Sequence, residues 1–130
     1  MLHLECWRVR AFMGVSGAAS YRSIVQEGMA KVIKHIVMWK VAGSTKEEKE
    51  ASVQKVKVAF DGIVGVVPGL RSVEIGVDIS GIDYACDVVL YSEFESQEAL
   101  ENYAVHPAHL KIKESLADVR IARYQVDYAV

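Results

Sequence analysis

The sequence has little of what several protein classes require. Only two of its 130 residues are cysteines, Cys6 and Cys86, and they lie far apart. This argues against a disulfide framework or a cysteine-based zinc site and favours a reducing compartment, so we expect a cytoplasmic protein. The formal net charge of -2 provides no basic excess to neutralise nucleic-acid phosphates. No run of about 18 apolar residues is present, so we expect no membrane span.

The composition that remains is that of one soluble globular domain. Apolar residues make up 52% of the chain and charged residues 25%, which predicts a packed core with a charged surface. No Gly-rich phosphate loop, Ser-His-Asp order or paired-carboxylate motif is recognisable, so we expect no cofactor. The expected partner is a small molecule or another protein chain.

Residues 1–28 differ from the rest of the chain, because they show no sustained helical or strand period. Arg8 and Arg10 interrupt the apolar stretch that a secretory signal needs, and acidic residues with poor amphipathicity fit an organellar transit peptide poorly. We expect this segment to be a disordered or non-native extension. Translation would then start at Met29, and the folded domain would cover residues 29–130.

The domain is predicted to open with a strand and a long helix. Residues 32–41 are rich in β-branched and aromatic side chains, which predicts a strand. Its alternation places four residues on one face: His35, Val37, Trp39 and Val41. Ser44 and Glu47 fit a capping box that begins a helix, and apolar residues spaced by three and four continue this helix to Val67. Pro68 and the glycine after it then end the helix.

A hairpin, two short helices and a final strand follow. Alternation predicts three strands, over residues 70–79, 86–94 and 119–128. Ser96 is expected to cap one short helix, and Pro107 suits the first turn of the next. The resulting order, β-α-β-β-α-β, predicts an α+β ferredoxin-like fold with an antiparallel four-stranded sheet. The helices cover only one face of that sheet while the other also carries apolar residues, so we predict a homodimer packed sheet against sheet.

Reactive side chains concentrate between Tyr103 and His109, where one phenol and two imidazoles fall within a short stretch. Together with other motifs in the same order, this stretch resembles the Dabb family, the stress-responsive dimeric α/β-barrel domain. The motifs are His-Ile-Val-Met-Trp-Lys at 35–40, Gly76 with Asp78, Tyr-Ser-Glu-Phe at 91–94, and Tyr103 with His-Pro-Ala-His at 106–109. The resemblance covers about residues 32–128 and implies a dimeric α+β barrel.

The Tyr-x-x-His-Pro-Ala-His stretch is also similar to the olivetolic acid cyclase branch of that family, which performs a cofactor-independent aldol condensation. This similarity implies that His109 is the catalytic histidine and Tyr103 its assistant. The chemistry is consistent, because a neutral imidazole can remove a proton α to a carbonyl and a phenol can donate to the developing enolate oxygen. The alternative is structural: His109 bonds a backbone carbonyl, and Tyr103 fills the gap between helix and sheet.

Three more residues are predicted to bind substrate: His35, Trp39 and Phe60. Each also has a simpler interpretation, since His35 could be a satisfied core histidine and the two aromatic residues could be core. His106 is expected to serve the helix start. A metal held by the three histidines of the motifs is a further alternative, but no carboxylate is spaced to complete such a site, so we expect no metal.

These observations predict a cofactor-free lyase or cyclase that acts on a small apolar, polyketide-like carbonyl compound, with His109 as its general base. The alternative is a non-catalytic stress-response or small-molecule-binding homodimer. An apolar pocket open to solvent beside His109 would favour the enzyme, whereas a packed interior with His109 bonded to the backbone would favour the second class.

Overall fold

Four strands and three helices make up the part of the chain that the structure, a computed structural model, describes: residues 31–130. The predicted extension over residues 1–28 and the Met29 start lie outside the described residues. The elements are β1 (Ile33–Val41), α1 (Lys46–Phe60), β2 (Leu70–Val77), β3 (Val88–Phe94), α2 (Gln97–Val105), α3 (Pro107–Ser115) and β4 (Arg120–Ala129). None of the three helices is long and apolar enough to cross a lipid bilayer.

The strands form one antiparallel sheet in the order β2-β3-β1-β4, which confirms the predicted ferredoxin-like α+β fold. The central strand β1 pairs with β3 on one side and with β4 on the other. In this register His35 lies between Ser92 and Asp127, while Trp39 lies between Val88 and Arg123. These pairings set which side chains of neighbouring strands share the face toward the helices.

The core lies between this face and the helices. Burial alternates along β1, and Val37, Trp39 and Val41 are at most 2% exposed. Val56 from α1 and Phe94 from β3 are fully buried against them. This confirms the predicted face of β1, and it leaves the opposite side of the sheet without a helix.

The start of α1 differs by one residue from the predicted capping box. Thr45 is the N-cap rather than Ser44, and its hydroxyl accepts a hydrogen bond from the backbone N–H of Glu48 at 3.1 Å. The carboxylate of Glu48, not of Glu47, reaches back to the N–H of Ser44 at 2.8 Å. The sequence offers the S/T-x-x-E pattern in two overlapping registers, and the later register is the one adopted.

The end of α1 also differs, because the helix stops at Phe60 and does not continue to Val67. Gly62 has a φ of +74°, a left-handed conformation that leaves the helix. Ile63 and Val67 are nevertheless buried. Their apolar spacing therefore reflects core contacts made from a turn, which periodicity alone cannot tell from helix.

The hairpin strands are shorter than predicted, ending at Val77 and resuming at Val88, so a ten-residue connection over 78–87 replaces the predicted turn. Asp78 holds the start of this loop by accepting hydrogen bonds from Ser80 and from the backbone of Gly81. The loop is exposed where it turns, and it carries the exposed apolar residues Ile79, Ile82 and Tyr84. Ile79 extends the apolar alternation of β2 beyond the end of the strand, which explains why the predicted strand was longer.

Candidate active site

A cavity of about 330 Å³ lies between the sheet and the helices. All five predicted site residues line it: His35, Trp39, Phe60, Tyr103 and His109. Its volume falls at the lower end of the range for small-molecule sites. The fold therefore brings together residues from β1, α1, α2 and α3, while the roles predicted for them remain predictions.

The junction of α2 and α3 sets the relative position of Tyr103 and His109. His106 has extended backbone between the two helices, and its Nδ1 accepts a hydrogen bond from a backbone N–H of the first turn of α3 at 3.0 Å. Pro107 occupies the first position of α3, where a missing N–H costs nothing. The turn stacks the two rings, with centroids 4.1 Å apart and planes 28° from parallel. The predicted role of His106 at the helix start is confirmed.

His109 is half-buried, and one of its ring nitrogens is already engaged. Its Nδ1 lies 3.3 Å from the backbone oxygen of Ala104, which makes Nδ1 the protonated donor and leaves the lone pair on Nε2. Burial lowers the pKa of His109, and the nearby charges of Lys113 and Arg123 lower it further, against the opposing effect of the backbone bond. A neutral imidazole with a free Nε2 results at neutral pH.

Tyr103 is 3% exposed and packs in an aromatic cluster with Phe94, whose ring centroid is 5.0 Å away, and with His35 at 6.1 Å. Burial raises the pKa of Tyr103 to about 12, although the charge of Arg123 opposes the shift. The phenol therefore stays protonated at neutral pH and can act as a hydrogen-bond donor.

His35 has a carboxylate partner that sequence reasoning missed. The Nδ1 of His35 donates to Asp127 Oδ1 at 2.5 Å across the β1–β4 pair, and Gln125 donates to the second oxygen of Asp127 at 2.8 Å. His35 is 5% exposed. It lines the cavity as predicted, but its polar partner is Asp127, while its contact with the Tyr103–His109 pair is an edge contact to the phenol ring.

Trp39 and Phe60 also line the cavity and stack on each other, with ring centroids 6.1 Å apart. Trp39 is 2% exposed, and its indole Nε1 has no hydrogen-bond partner among residues 31–130. Buried indole N–H groups normally find an acceptor. The Trp39 N–H is therefore an unpaired donor that is enclosed in the core of the described residues.

Three basic residues also line the cavity and were not predicted: Lys113, Arg120 and Arg123. Arg120 donates to the backbone oxygens of Lys113 at 3.0 Å and Leu116 at 3.4 Å, which fixes its guanidinium at the end of α3. The sequence carried no signal for Arg123, because strand alternation places it opposite the apolar face of β4. Its pairing with Trp39 in the sheet places it on the face toward the helices.

The histidines of the motifs do not converge on one point. His106 caps α3, His35 pairs with Asp127 and His109 contacts the Ala104 carbonyl, each through Nδ1. No hydrogen bond within residues 31–130 engages the Nε2 of any of the three, so His109 is distinguished by its stacking on Tyr103 and not by a free nitrogen. Within residues 31–130, no three or more metal-binding side chains lie close enough together to hold an ion.

Fold and site define a ferredoxin-like α+β domain with a His-Tyr cavity between sheet and helices. The chain matches the profile of the family described as the Stress responsive A/B Barrel Domain, Dabb, over residues 33–130, and it belongs to that family.

Solved structures with the same fold come from distant organisms. A dimeric ferredoxin-like protein of unknown function from Bacteroides fragilis is 29% identical, with a TM-score of 0.67 over 76% of this chain and 96% of that one. A dimeric ferredoxin-like protein from Thermobifida fusca is 19% identical, with a TM-score of 0.66 over 78% and 93%. The hydroxynitrile lyase of Passiflora edulis is 12% identical, with a TM-score of 0.66 over 78% and 95%. No curated protein matches the chain.

Proposed function

We propose that this protein is a cofactor-free lyase or cyclase that removes a proton α to a carbonyl group. His109 Nε2 takes the proton, and the electron pair of the C–H bond moves to the carbonyl oxygen as an enolate. Tyr103 donates a hydrogen bond to that oxygen. The enolate carbon then attacks a second carbonyl, whose oxygen takes up the proton held by His109.

One observation carries the proposal: an open cavity adjoins an imidazole whose tautomer is fixed and whose Nε2 has no hydrogen-bond partner within residues 31–130. The backbone bond of His109 was expected to favour a structural role. It engages only Nδ1, however, and a base oriented through one nitrogen acts through the other. The lyase from Passiflora edulis indicates that this fold can carry a lyase, but at 12% identity the argument rests on the cavity.

The second candidate is a non-catalytic small-molecule-binding protein. The close stacking of Tyr103 on His109 favours it, because a ring held at 4.1 Å between centroids also serves packing. Both candidates share the cavity and differ only in whether His109 moves a proton.

Deuterium exchange at the carbon α to a carbonyl separates the two candidates without knowledge of the natural substrate. Methyl ketones and 1,3-diketones are incubated with the protein in D₂O, and loss of their α-proton signals is followed by NMR. We expect the wild-type protein to accelerate exchange and His109→Gln to lose about 10²-fold or more of that acceleration.

His106→Asn is the matched control within the motif, because asparagine also caps helices well. It should keep the wild-type exchange rate. Exchange in His109→Gln equal to wild type would remove the proposed base, and ligand binding without exchange in the wild type would establish the second candidate.

We further propose that two copies of this chain pair through the outer face of the sheet, the side opposite the helices. Its apolar side chains are half-buried or exposed in the single chain: Ile36, Met38, Tyr124, Val126 and Tyr128. An apolar patch spread over adjacent strands is typical of a protein interface. The neighbours from Bacteroides fragilis and Thermobifida fusca are both described as dimeric.

A further inference from the structure

The solvent edge of the cavity is positively charged. Lys113 and Arg123 are exposed and also line the cavity, so they lie where it meets solvent. No acidic side chain of residues 31–130 is among the lining residues. Asp127 lies on the same face of β4 as Arg123, and its carboxylate already bonds His35. A cleft lined by one sign of charge concentrates ligands of the opposite sign.

Neither Lys113 nor Arg123 forms an ion pair with a carboxylate of residues 31–130. The ion pairs among the described residues are His35 with Asp127 and Lys49 with Asp87, and neither involves Lys113 or Arg123. The charge of Arg123 acts on both Tyr103 and His109, which places it within electrostatic reach of the two residues proposed for chemistry. Uncompensated cations beside a reacting group are typical of sites that hold an anionic substrate.

Trp39 adds a donor on the inner side. Its N–H is buried without an acceptor among the described residues, and such an unmet donor destabilises the protein unless a ligand or water accepts from it. Trp39 is also the direct register neighbour of Arg123 across the β1–β4 pair. The strand pairing therefore places a buried neutral donor beside an exposed cation on one face of the sheet.

We propose that the cavity binds a small carbonyl compound that also carries a carboxylate. Lys113 and Arg123 hold the carboxylate at the solvent edge. Ligand binding shifts the Trp39 side chain so that its enclosed indole N–H donates to a ligand oxygen inside. The proposal rests on the proposed function for the identity of the reacting carbonyl, and it adds the charge of the substrate. The volume of about 330 Å³ suits a compound of one ring or a short chain.

Calorimetric binding of two matched probes to the full chain tests the charge. The probes are 4-acetylbenzoate, an aryl methyl ketone with a carboxylate, and acetophenone, the same ketone without it. We expect the carboxylate to improve the wild-type Kd about tenfold. Lys113→Met combined with Arg123→Gln should abolish this preference, because it removes both cations of the solvent edge. The guanidinium of Arg120, which remains, is already engaged by backbone oxygens.

Arg71→Gln is the control, since Arg71 is an exposed arginine of β2 that does not line the cavity. It should keep the tenfold preference. Three results would each overturn the proposal. They are equal Kd values for the two probes in the wild type, no binding of either probe at millimolar concentration, and a preference that persists in the double variant.

The indole contact has its own readout. The indole N–H signal of Trp39 is observed in an NMR spectrum of ¹⁵N-labelled protein and is assigned by its loss in Trp39→Phe. This signal should move downfield when 4-acetylbenzoate binds. An unmoved signal would refute the contact.

The charge preference and the proposed function fail separately. If 4-acetylbenzoate binds preferentially but its methyl protons exchange equally fast with wild type and His109→Gln, the proposed base is wrong while the anionic ligand class stands. If exchange depends on His109 but both probes bind equally, the anionic ligand class is wrong while His109 stands as the base.

Discussion

Burial acts on the two residues of the stacked pair in opposite directions. It raises the pKa of Tyr103 to about 12, because the charged form of a phenol is an anion. It lowers the pKa of His109, because the charged form of an imidazole is a cation. One apolar environment thus keeps both side chains neutral across the physiological range, which is the state that a donor and a base need.

Replacing Tyr103 by phenylalanine removes the donor and keeps the ring that fills the aromatic cluster. We expect Tyr103→Phe to remain folded and to lose roughly 10²-fold in α-proton exchange, as expected for the loss of one donor to a developing oxyanion. Thermal unfolding checks the fold, and the exchange rate checks the role. An unchanged rate would assign Tyr103 to packing alone.

The positive charge of Lys113 is one cause of the lowered pKa of His109, after burial. Lys113→Met should therefore raise the pKa of His109, which an NMR titration of its ring protons measures. Lys111→Met is the control, because Lys111 is an exposed lysine of the same helix and does not line this cavity. It should leave the pKa of His109 unchanged. A downward shift in Lys113→Met would contradict the assigned electrostatics.

At the scale of elements, the overlapping caps of α1 make a direct comparison possible. The Thr45 hydroxyl accepts from the backbone N–H of Glu48, so Thr45→Ala should lower the free energy of unfolding by about 1 kcal/mol. Ser44→Ala should cost less, because the Ser44 hydroxyl bonds only the exposed Glu48 carboxylate. Urea denaturation of both variants measures the difference. A larger loss in Ser44→Ala would restore the register expected from the sequence.

The sequence was sufficient for the order of the elements and for the strands with strong alternation, such as β1. It was insufficient where apolar residues are buried from turns, as with Ile63 and Val67 after α1. It was also insufficient for long-range polar partners. The bond between His35 and Asp127 depends on the β1–β4 register, and register is set by the assembled sheet.

The site was predicted more completely than its surroundings. The family resemblance and strand alternation named five residues that line the cavity, and the roles predicted for them remain predictions. The basic residues at the solvent edge were missed, because a lone exposed arginine such as Arg123 looks like ordinary strand surface until the fold turns its face toward α3. Charge at a cavity edge becomes visible only when the lining of the cavity is known.

At the scale of the whole molecule, the outer face of the sheet is the interface of the proposed dimer. Val126 is 51% exposed in the single chain and lies opposite Ile36. Val126→Arg should convert the proposed dimer into a monomer, because it places an unpaired charge in an apolar interface and does not touch the helix-side core. Light scattering should give twice the 14.4 kDa chain mass for the wild type and one chain mass for the variant.

Ile79→Arg is the control for that experiment, since Ile79 is fully exposed in the loop after β2. It should remain dimeric. A monomeric wild-type protein at micromolar concentration would contradict the proposed pairing.

The account depends most on His109 acting as a base through a free Nε2. The most direct test is the pH dependence of α-proton exchange, measured by NMR from about pH 4.5 to 8.5 with wild type and His109→Gln. The pKa of His109 lies below its ordinary value of 6.5. The wild-type exchange rate should therefore rise with pH through one apparent pKa below 6.5 and then stay level, and this rise should be absent in His109→Gln. A rise that persists in His109→Gln, or one centred well above pH 6.5, would contradict the role of His109 as the base.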